Sequence, residues 1–278
     1  MYKLIFIDLD GTLLNDKKEI SKENIKWLNR AYKEKGITTI ITTGRQLGFV
    51  KDLYNRYNCS FGDYVIASNG AIIKNIKTGE YVNKEVFSKE EVKDLRRIYK
   101  EENLEYFMIY TENESYRENN YEKETLEQDK ILVENIDELL ERNSELIVSL
   151  CIFGGKEEKL IKAINKVEKV NKFDSSPICI YNQTTNGFTI NEKYFDVMRK
   201  DCNKKNAVKK VMDTFGVKHD EIIVIGDGGN DLPMFEYAKL KIAMGNADEA
   251  LKQKADYITD TNNNDGVAKA IKKFVFEE

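Results

Sequence analysis

Two hydrophobic patterns alternate along the chain. Short unbroken apolar runs, Leu4 to Ile7, Ile37 to Thr42, Tyr64 to Ala67 and Glu221 to Ile225, end in polar or glycine-bearing turns, and between them apolar positions recur every three or four residues. Unbroken runs predict strands buried on both faces, as in a parallel sheet, and the longer period predicts the amphipathic helices that cover them. The first helix is expected from Ser21, a suitable N-cap, through Ile25, Leu28, Ala31 and Tyr32 to Gly36. A helix over about Gln46 to Tyr57 follows the second strand, and Ala71–Lys74 with Glu80–Val82 reads as a hairpin after the third.

From about Lys84 the pattern changes. A helix from Ser88 to Glu102 precedes a strand Tyr106–Tyr110, a polar Glu/Asn/Tyr stretch, a strand Leu146–Phe153, a helix Glu157–Val170 and strands Ile178–Tyr181 and Gly187–Asn191. The first pattern then resumes with a helix from Asn203 to Gly216, the strand ending at Ile225, and Pro233 in the first turn of the next helix. A strand Leu240–Met244, a helix from Asp248, a short strand Asp256–Ile258 and a helix from Gly266 to near Phe274 complete it. Strand, helix, strand in succession gives right-handed parallel units. The expected architecture is therefore an α/β, doubly wound, Rossmann-like sheet of residues 1–83 and 196–278, with an α+β unit of residues 84–195 inserted.

Composition narrows the setting. The chain has 278 residues, 41% of them hydrophobic, which is enough for one large core or two modest ones. Its 44 basic and 48 acidic residues show no basic excess, so no nucleic-acid partner is expected. The first apolar run stops at Asp8, and no later one approaches the roughly 18 residues of a membrane span, so a cytoplasmic protein without a membrane partner is expected. Cys59, Cys151, Cys179 and Cys202 are scattered without metal-ligand spacing, and the single His219 sits in a polar turn before a strand.

The chemistry gathers where apolar strands end. Asp8 and Asp10 follow Leu4–Ile7, and side chains two apart on extended backbone point the same way. Two such carboxylates repel unless a cation relieves them; near phosphate the usual one is Mg²⁺. Asp8 then suits an ionised nucleophile and Asp10 a proton carrier. Thr43 ends the second strand, where its hydroxyl and the free N–H groups of the next helix suit phosphate oxygens. Lys204 and Lys205 stand at a helix N-terminus, where the dipole disfavours cations, a broken local rule that hints at function. Asp227 and Asp231, in Gly226-Asp227-Gly228-Gly229-Asn230-Asp231, bring further carboxylates to the same sheet edge.

Taken together these strings resemble the haloacid dehalogenase-like (HAD) phosphohydrolases. Asp8-Leu9-Asp10-Gly11-Thr12-Leu13 is similar to their first motif, and Thr43-Gly44-Arg45 to the second in its Cof-type (IIB) form. Lys204-Lys205-Asn206-Ala207-Val208 aligns with their Lys-Gly-x-Ala-Leu, and the Gly226–Asp231 loop with their Gly-Asp-x-x-Asn-Asp. Ser68-Asn69-Gly70, Met244-Gly245-Asn246-Ala247 and Asp265-Gly266-Val267 also look like the Cof-type branch.

The resemblance implies a Mg²⁺-dependent phosphatase in which Asp8 becomes phosphorylated and Asp10 is the general acid and base. It implies metal binding by Asp8, Asp227 and the carbonyl of Asp10, supported by Asn230 and Asp231. Phosphate binding falls to Leu9, Thr43, Gly44 and Lys204, with Lys205, in the place of the usual glycine, as the alternative lysine. Arg45 and Asn69 are expected as substrate contacts, and the insertion as a cap that selects a small phosphorylated metabolite. Sugar phosphates, pyridoxal phosphate and flavin mononucleotide are all handled by relatives. Two other functions use similar residues: a phosphosugar mutase on the same core, and a phospho-acceptor signalling module, which an acid/base beside the acceptor would serve badly.

Overall fold

β-Branched and aliphatic residues fill the central strands so completely that Ile5, Phe6, Ile7, Ile223, Val224 and Ile225 are wholly buried in the computed structural model. It describes residues 1–119, 131–143, 148–185 and 188–277. The chain divides into two units, Met1–Lys84 with Asn203–Glu278, and Glu85–Cys202.

The first unit begins β1 (Leu4–Asp8), α1 (Lys22–Lys35), β2 (Thr38–Thr42), α2 (Leu47–Tyr57) and β3 (Tyr64–Ala67). Ser21 caps α1 by accepting from the Asn24 N–H at 3.1 Å, and Gly36 closes it in the left-handed conformation, φ 68°. After a 3₁₀ turn at Ser68–Gly70, β4 (Ile72–Asn75) and β5 (Tyr81–Lys84) form the hairpin, shifted by one or two residues from its expected limits.

The second unit runs α3 (Lys89–Glu101), β6 (Tyr106–Tyr110), β7 (Ser115–Asn119), β8 (Ile131–Leu132), α4 (Ile136–Arg142), β9 (Leu150–Gly154), α5 (Glu157–Lys169), β10 (Phe173–Ser175), β11 (Cys179–Thr185) and β12 (Phe188–Arg199). Its core is aromatic, with Phe153 and Phe195 stacked at 5.1 Å and Phe107 packed against Phe153.

The polar stretch after Tyr110, to which the periodicity assigned no element, holds further ones, and two expectations are corrected here. β7 pairs antiparallel with β6, and α4 follows. Two charges of β7 are paired inside the unit, the buried Glu118 accepting the Arg96 fork at 2.7 and 2.8 Å, and Arg117 meeting Glu192. The last strand does not stop at Asn191 but continues to Arg199, because Phe195 and Val197 alternate into the core. The expected return to the core at 196 therefore falls inside a paired strand, Asp196 opposite Ile152, and the first unit resumes at Asn203. Residues 146, 147 and 187 of the expected strands lie outside the described residues.

The first unit resumes with α6 (Lys204–Phe215), β13 (Ile222–Gly226), β14 (Leu240–Ala243), α7 (Glu249–Lys252), β15 (Tyr257–Ile258) and α8 (Gly266–Ile271). Its sheet has the order β15-β14-β13-β1-β2-β3-β4-β5, parallel through β3 and antiparallel beyond. From β1 the chain winds outward one way through β2 and β3, then the other way through β13, β14 and β15. The reversal lies between β1 and β13, and in open α/β sheets the crevice at the carboxyl ends of such strands is where ligands bind. Among the described residues, no helix is long and apolar enough to cross a membrane.

Candidate active site

At that reversal β1 delivers Asp8, β13 leads into Asp227, and β2 leads into Thr43. The parallel pairing Asp8↔Thr42 and Ile7↔Ile225 sets all three strand ends level. Asp8 is 6% exposed and Asp231 fully buried. Between them sits the ammonium of Lys204, 2.5 Å from Asp8 Oδ1 and 2.7 Å from Asp231 Oδ1. Lys204 is only 3% exposed although it opens α6. The residue before it, Asn203, packs its carbonyl against Gly70, at φ 105°, where any Cβ would come within 2.5 Å. Lys205 points elsewhere, pairing with Glu236 at 2.6 Å on the surface.

Asp231 is fixed by more than the lysine, since its Oδ2 accepts the N–H groups of Asp227 and Gly228 at 3.1 and 3.2 Å. Asp227 in turn accepts the Thr12 hydroxyl at 2.8 Å. The approach is close enough that a Cβ on Gly11, at φ 76°, would lie 2.2 Å from Asp227 Oδ2. Asn230 is exposed in the same loop, and the Leu9 side chain is buried, so Leu9 faces the site through its main chain alone.

Thr43 is 1% exposed, its hydroxyl accepting the Arg45 N–H at 3.1 Å and its carbonyl the Asn69 N–H at 3.0 Å. Ser68 and Asn69 both hold left-handed backbone, φ 49° and 53°, an uncommon pair for residues other than glycine and a place where strain gathers. That turn brings the Asn69 amide against Gly44, where a Cβ would meet Asn69 Oδ1 at 3.0 Å. Asn69 thus adjoins the Thr43–Arg45 loop.

Arg45 and Asp10 meet across the site. Arg45 grips Asp10 itself, Nε to Oδ2 at 2.7 Å and Nη2 to Oδ1 at 2.8 Å, and Lys18 adds a third contact at 2.9 Å. Burial alone would push the Asp10 carboxyl up, but the Arg45 fork and Lys18 outweigh it and hold the group at about 2. Asp10 is therefore ionised in this arrangement, ready to accept a proton, and donating one requires the fork to open. Lys18 left no signal in the sequence, being one of many surface lysines. Thr12 lay within the first motif, though nothing in the string marked it as an Asp227 partner.

The other carboxyls behave oppositely. Burial, then the charge of Asp231, raises Asp8 well above the carboxylate range; burial lifts Asp227 to about 6 against the opposing Thr12 hydrogen bond. Lys204 is also desolvated, but Asp231 and Asp8 more than compensate and raise it, so it stays cationic. Asp8, Asp227 and Asp231 each offer a carboxylate oxygen within 4.8 Å of the others. An all-oxygen set with more negative charge than one lysine relieves fits a hard divalent cation such as Mg²⁺.

The profile of the haloacid dehalogenase-like hydrolases matches residues 5–271. The chain is 32% identical over 283 residues to the 5-amino-6-(5-phospho-D-ribitylamino)uracil phosphatase YcsE of Bacillus subtilis, covering 98% of this chain and 96% of that protein. A haloacid dehalogenase-like hydrolase from Bacteroides thetaiotaomicron superposes with a TM-score of 0.79 at 31% identity, over 98% of this chain and 99% of the other. The sugar phosphatase BT4131, of HAD subclass IIB, superposes with a TM-score of 0.74 at 25% identity, over 98% of both chains.

Proposed function

The chain belongs to the haloacid dehalogenase-like hydrolases, in subclass IIB, and we propose that it is a Mg²⁺-dependent phosphatase of small phosphorylated metabolites acting through an aspartyl phosphate on Asp8. One observation carries this reading: a buried carboxylate at the sheet's reversal point shares a buried lysine with a second carboxylate, and a third lies within metal-binding reach.

In the first step an Asp8 oxygen attacks phosphorus in line, the bond from phosphorus to the ester oxygen breaks, and Asp10 gives the departing alkoxide a proton. For that, Asp10, ionised while Arg45 holds it, leaves the fork and first takes a proton from solvent. In the second step a water oxygen attacks the same phosphorus and Asp10 takes the water's proton. The bond to Asp8 then breaks, returning the carboxylate and inorganic phosphate. Lys204, the Thr43 hydroxyl and the main-chain N–H groups of Leu9 and Gly44 hold the phosphoryl oxygens, because such transfers depend on positioning and charge neutralisation. Asp8, Asp227 and the Asp10 carbonyl, with Asp231 and Asn230 in support, would hold Mg²⁺, which would supply further positive charge against those oxygens.

The activities of YcsE and BT4131 support a phosphate ester of a sugar or polyol hydroxyl as substrate, ahead of pyridoxal phosphate or flavin mononucleotide. The inserted unit, Glu85–Cys202, is the part we assign to choosing among such esters. The scattered cysteines, which show no metal-ligand spacing, support the cytoplasm as the working compartment.

A panel of phosphorylated metabolites, assayed for inorganic phosphate without a bisphosphate activator, tests the class and separates hydrolysis from mutase chemistry. Chelation is expected to abolish release and added Mg²⁺ to restore it. Undiminished activity in excess chelator would remove the metal from the account.

A further inference from the structure

The loop after Asp10 is tied to the C-terminal part of its own unit by an unusual concentration of amides. Asp16 is exposed, yet its carboxylate accepts Asn262 Nδ2 at 3.1 Å and Asn263 Nδ2 at 2.8 Å, and its own N–H donates to Asn263 Oδ1 at 3.1 Å. Asn263 and then Asn262 hold its carboxyl below the usual range. The buried Asn262 also donates to the Leu14 carbonyl at 3.0 Å. Its N–H donates to Asn246 Oδ1 at 2.9 Å, and Asn246 Nδ2 reaches the Gly11 carbonyl at 2.8 Å. The segment from Gly11 to Asp16 is thus held at both ends.

What lies beyond Asp16 gives the clasp a purpose. The turn from Asn15 to Glu19 closes on itself, Asn15 N–H to the Glu19 carbonyl at 3.0 Å and Lys18 N–H to the Asn15 carbonyl at 2.9 Å, with Lys18 left-handed at φ 61°. That conformation presents the Lys18 ammonium to Asp10 Oδ1 at 2.9 Å. The buried Asn262 serves the fold through the Leu14 carbonyl, but Asp16 and Asn263 are exposed, and exposed contacts add little to stability, so Asp16 itself is poorly explained as a fold stabiliser.

We propose that Asp16, anchored by Asn262 and Asn263, is a positioning residue for the reaction: it fixes the Asn15–Glu19 turn so that Lys18 holds Asp10 in the orientation from which it takes the proton of the attacking water. The inference rests on the reading of Asp10 as the proton carrier. Losing the Asp16 anchor leaves nucleophile, metal ligands and phosphate contacts intact and leaves Asp10 to the Arg45 fork without the Lys18 contact that orients it, so the dephosphorylation step slows and the aspartyl phosphate builds up.

The test compares wild type, Asp16→Ala, Lys18→Met and Asp10→Asn on p-nitrophenyl phosphate with Mg²⁺. It measures kcat, KM, the thermal midpoint and the fraction of Asp8 phosphorylated after a steady-state quench. Asp16→Ala and Lys18→Met are expected to lower kcat about tenfold or more, as misplacement of a reacting group does, while KM and the thermal midpoint hold and phosphorylated Asp8 rises. Wild-type turnover in Asp16→Ala, a loss confined to KM, or a loss that Lys18→Met does not share overturns the proposal. It falls as well if Asp10→Asn accumulates phosphoenzyme and Asp16→Ala does not. If Asp10→Asn accumulates none either, the role of Asp10 has failed first and the proposal falls with it.

Discussion

Asp8→Asn is expected to abolish phosphate release, a fall on the order of 10⁶ in kcat, the scale on which hydrolases lose rate with their nucleophile. An amide is a poor nucleophile and cannot form the acyl phosphate, and the change also removes one of the oxygens that can hold the cation. Folding should survive: the amide keeps the shape of the carboxyl, and Lys204 keeps its pair with Asp231. A steady-state assay beside a melting curve reads both effects. Turnover near wild type in a folded Asp8→Asn protein is incompatible with covalent catalysis at this residue.

Lys204→Met is expected to lower kcat by on the order of 10² or more, as losing one preorganised electrostatic contact does. Its ammonium is the buried cation between Asp8 and Asp231, and without it two carboxylates face each other across a dry space. The loss of stability that follows is separable, because it appears in the melting curve and is partly relieved by Mg²⁺. Lys205→Ala, which removes only a surface pair with Glu236, should change the rate little. Kinetics of both variants on one substrate decide the matter, and a larger loss at Lys205 would mean that the wrong lysine has been placed against phosphate.

The residues that carry the proposed chemistry were legible because they interrupt apolar strands. A carboxylate or hydroxyl directly after Leu4–Ile7, Ile37–Thr42 or Glu221–Ile225 has no packing reason to be there, and parallel strands bring such ends to one edge. The cation at the start of α6 was legible as a broken helix-dipole rule, but the choice between neighbouring lysines needed the fold, which buries Lys204 between Asp8 and Asp231 and leaves Lys205 to Glu236 at the surface. Arg45 and Lys18 on Asp10 were not legible, since ion pairs between distant segments leave no local periodicity. The second unit misled for a related reason. β7 carries Arg117 and Glu118, which look like loop residues until Glu192, Arg96 and Lys100 are seen to neutralise them inside. The far half of β12 was hidden in the same way by Glu192, Lys193 and Asp196, while Phe195 and Val197 held the strand period.

The central claim is that phosphorus passes from substrate to Asp8 and then, with Asp10 as base, to water. With a nitrophenol leaving group the first step needs little protonation, so Asp10→Asn should still be phosphorylated while the second step stalls. The direct measurement is to quench Asp10→Asn and Asp8→Asn during turnover of p-nitrophenyl phosphate and locate the phosphoryl group by peptide mass spectrometry. The account predicts phosphate on Asp8 in Asp10→Asn, above the wild-type level, and none in Asp8→Asn. Phosphate on any other residue, or none in either variant while Asp10→Asn continues to turn over, would contradict it.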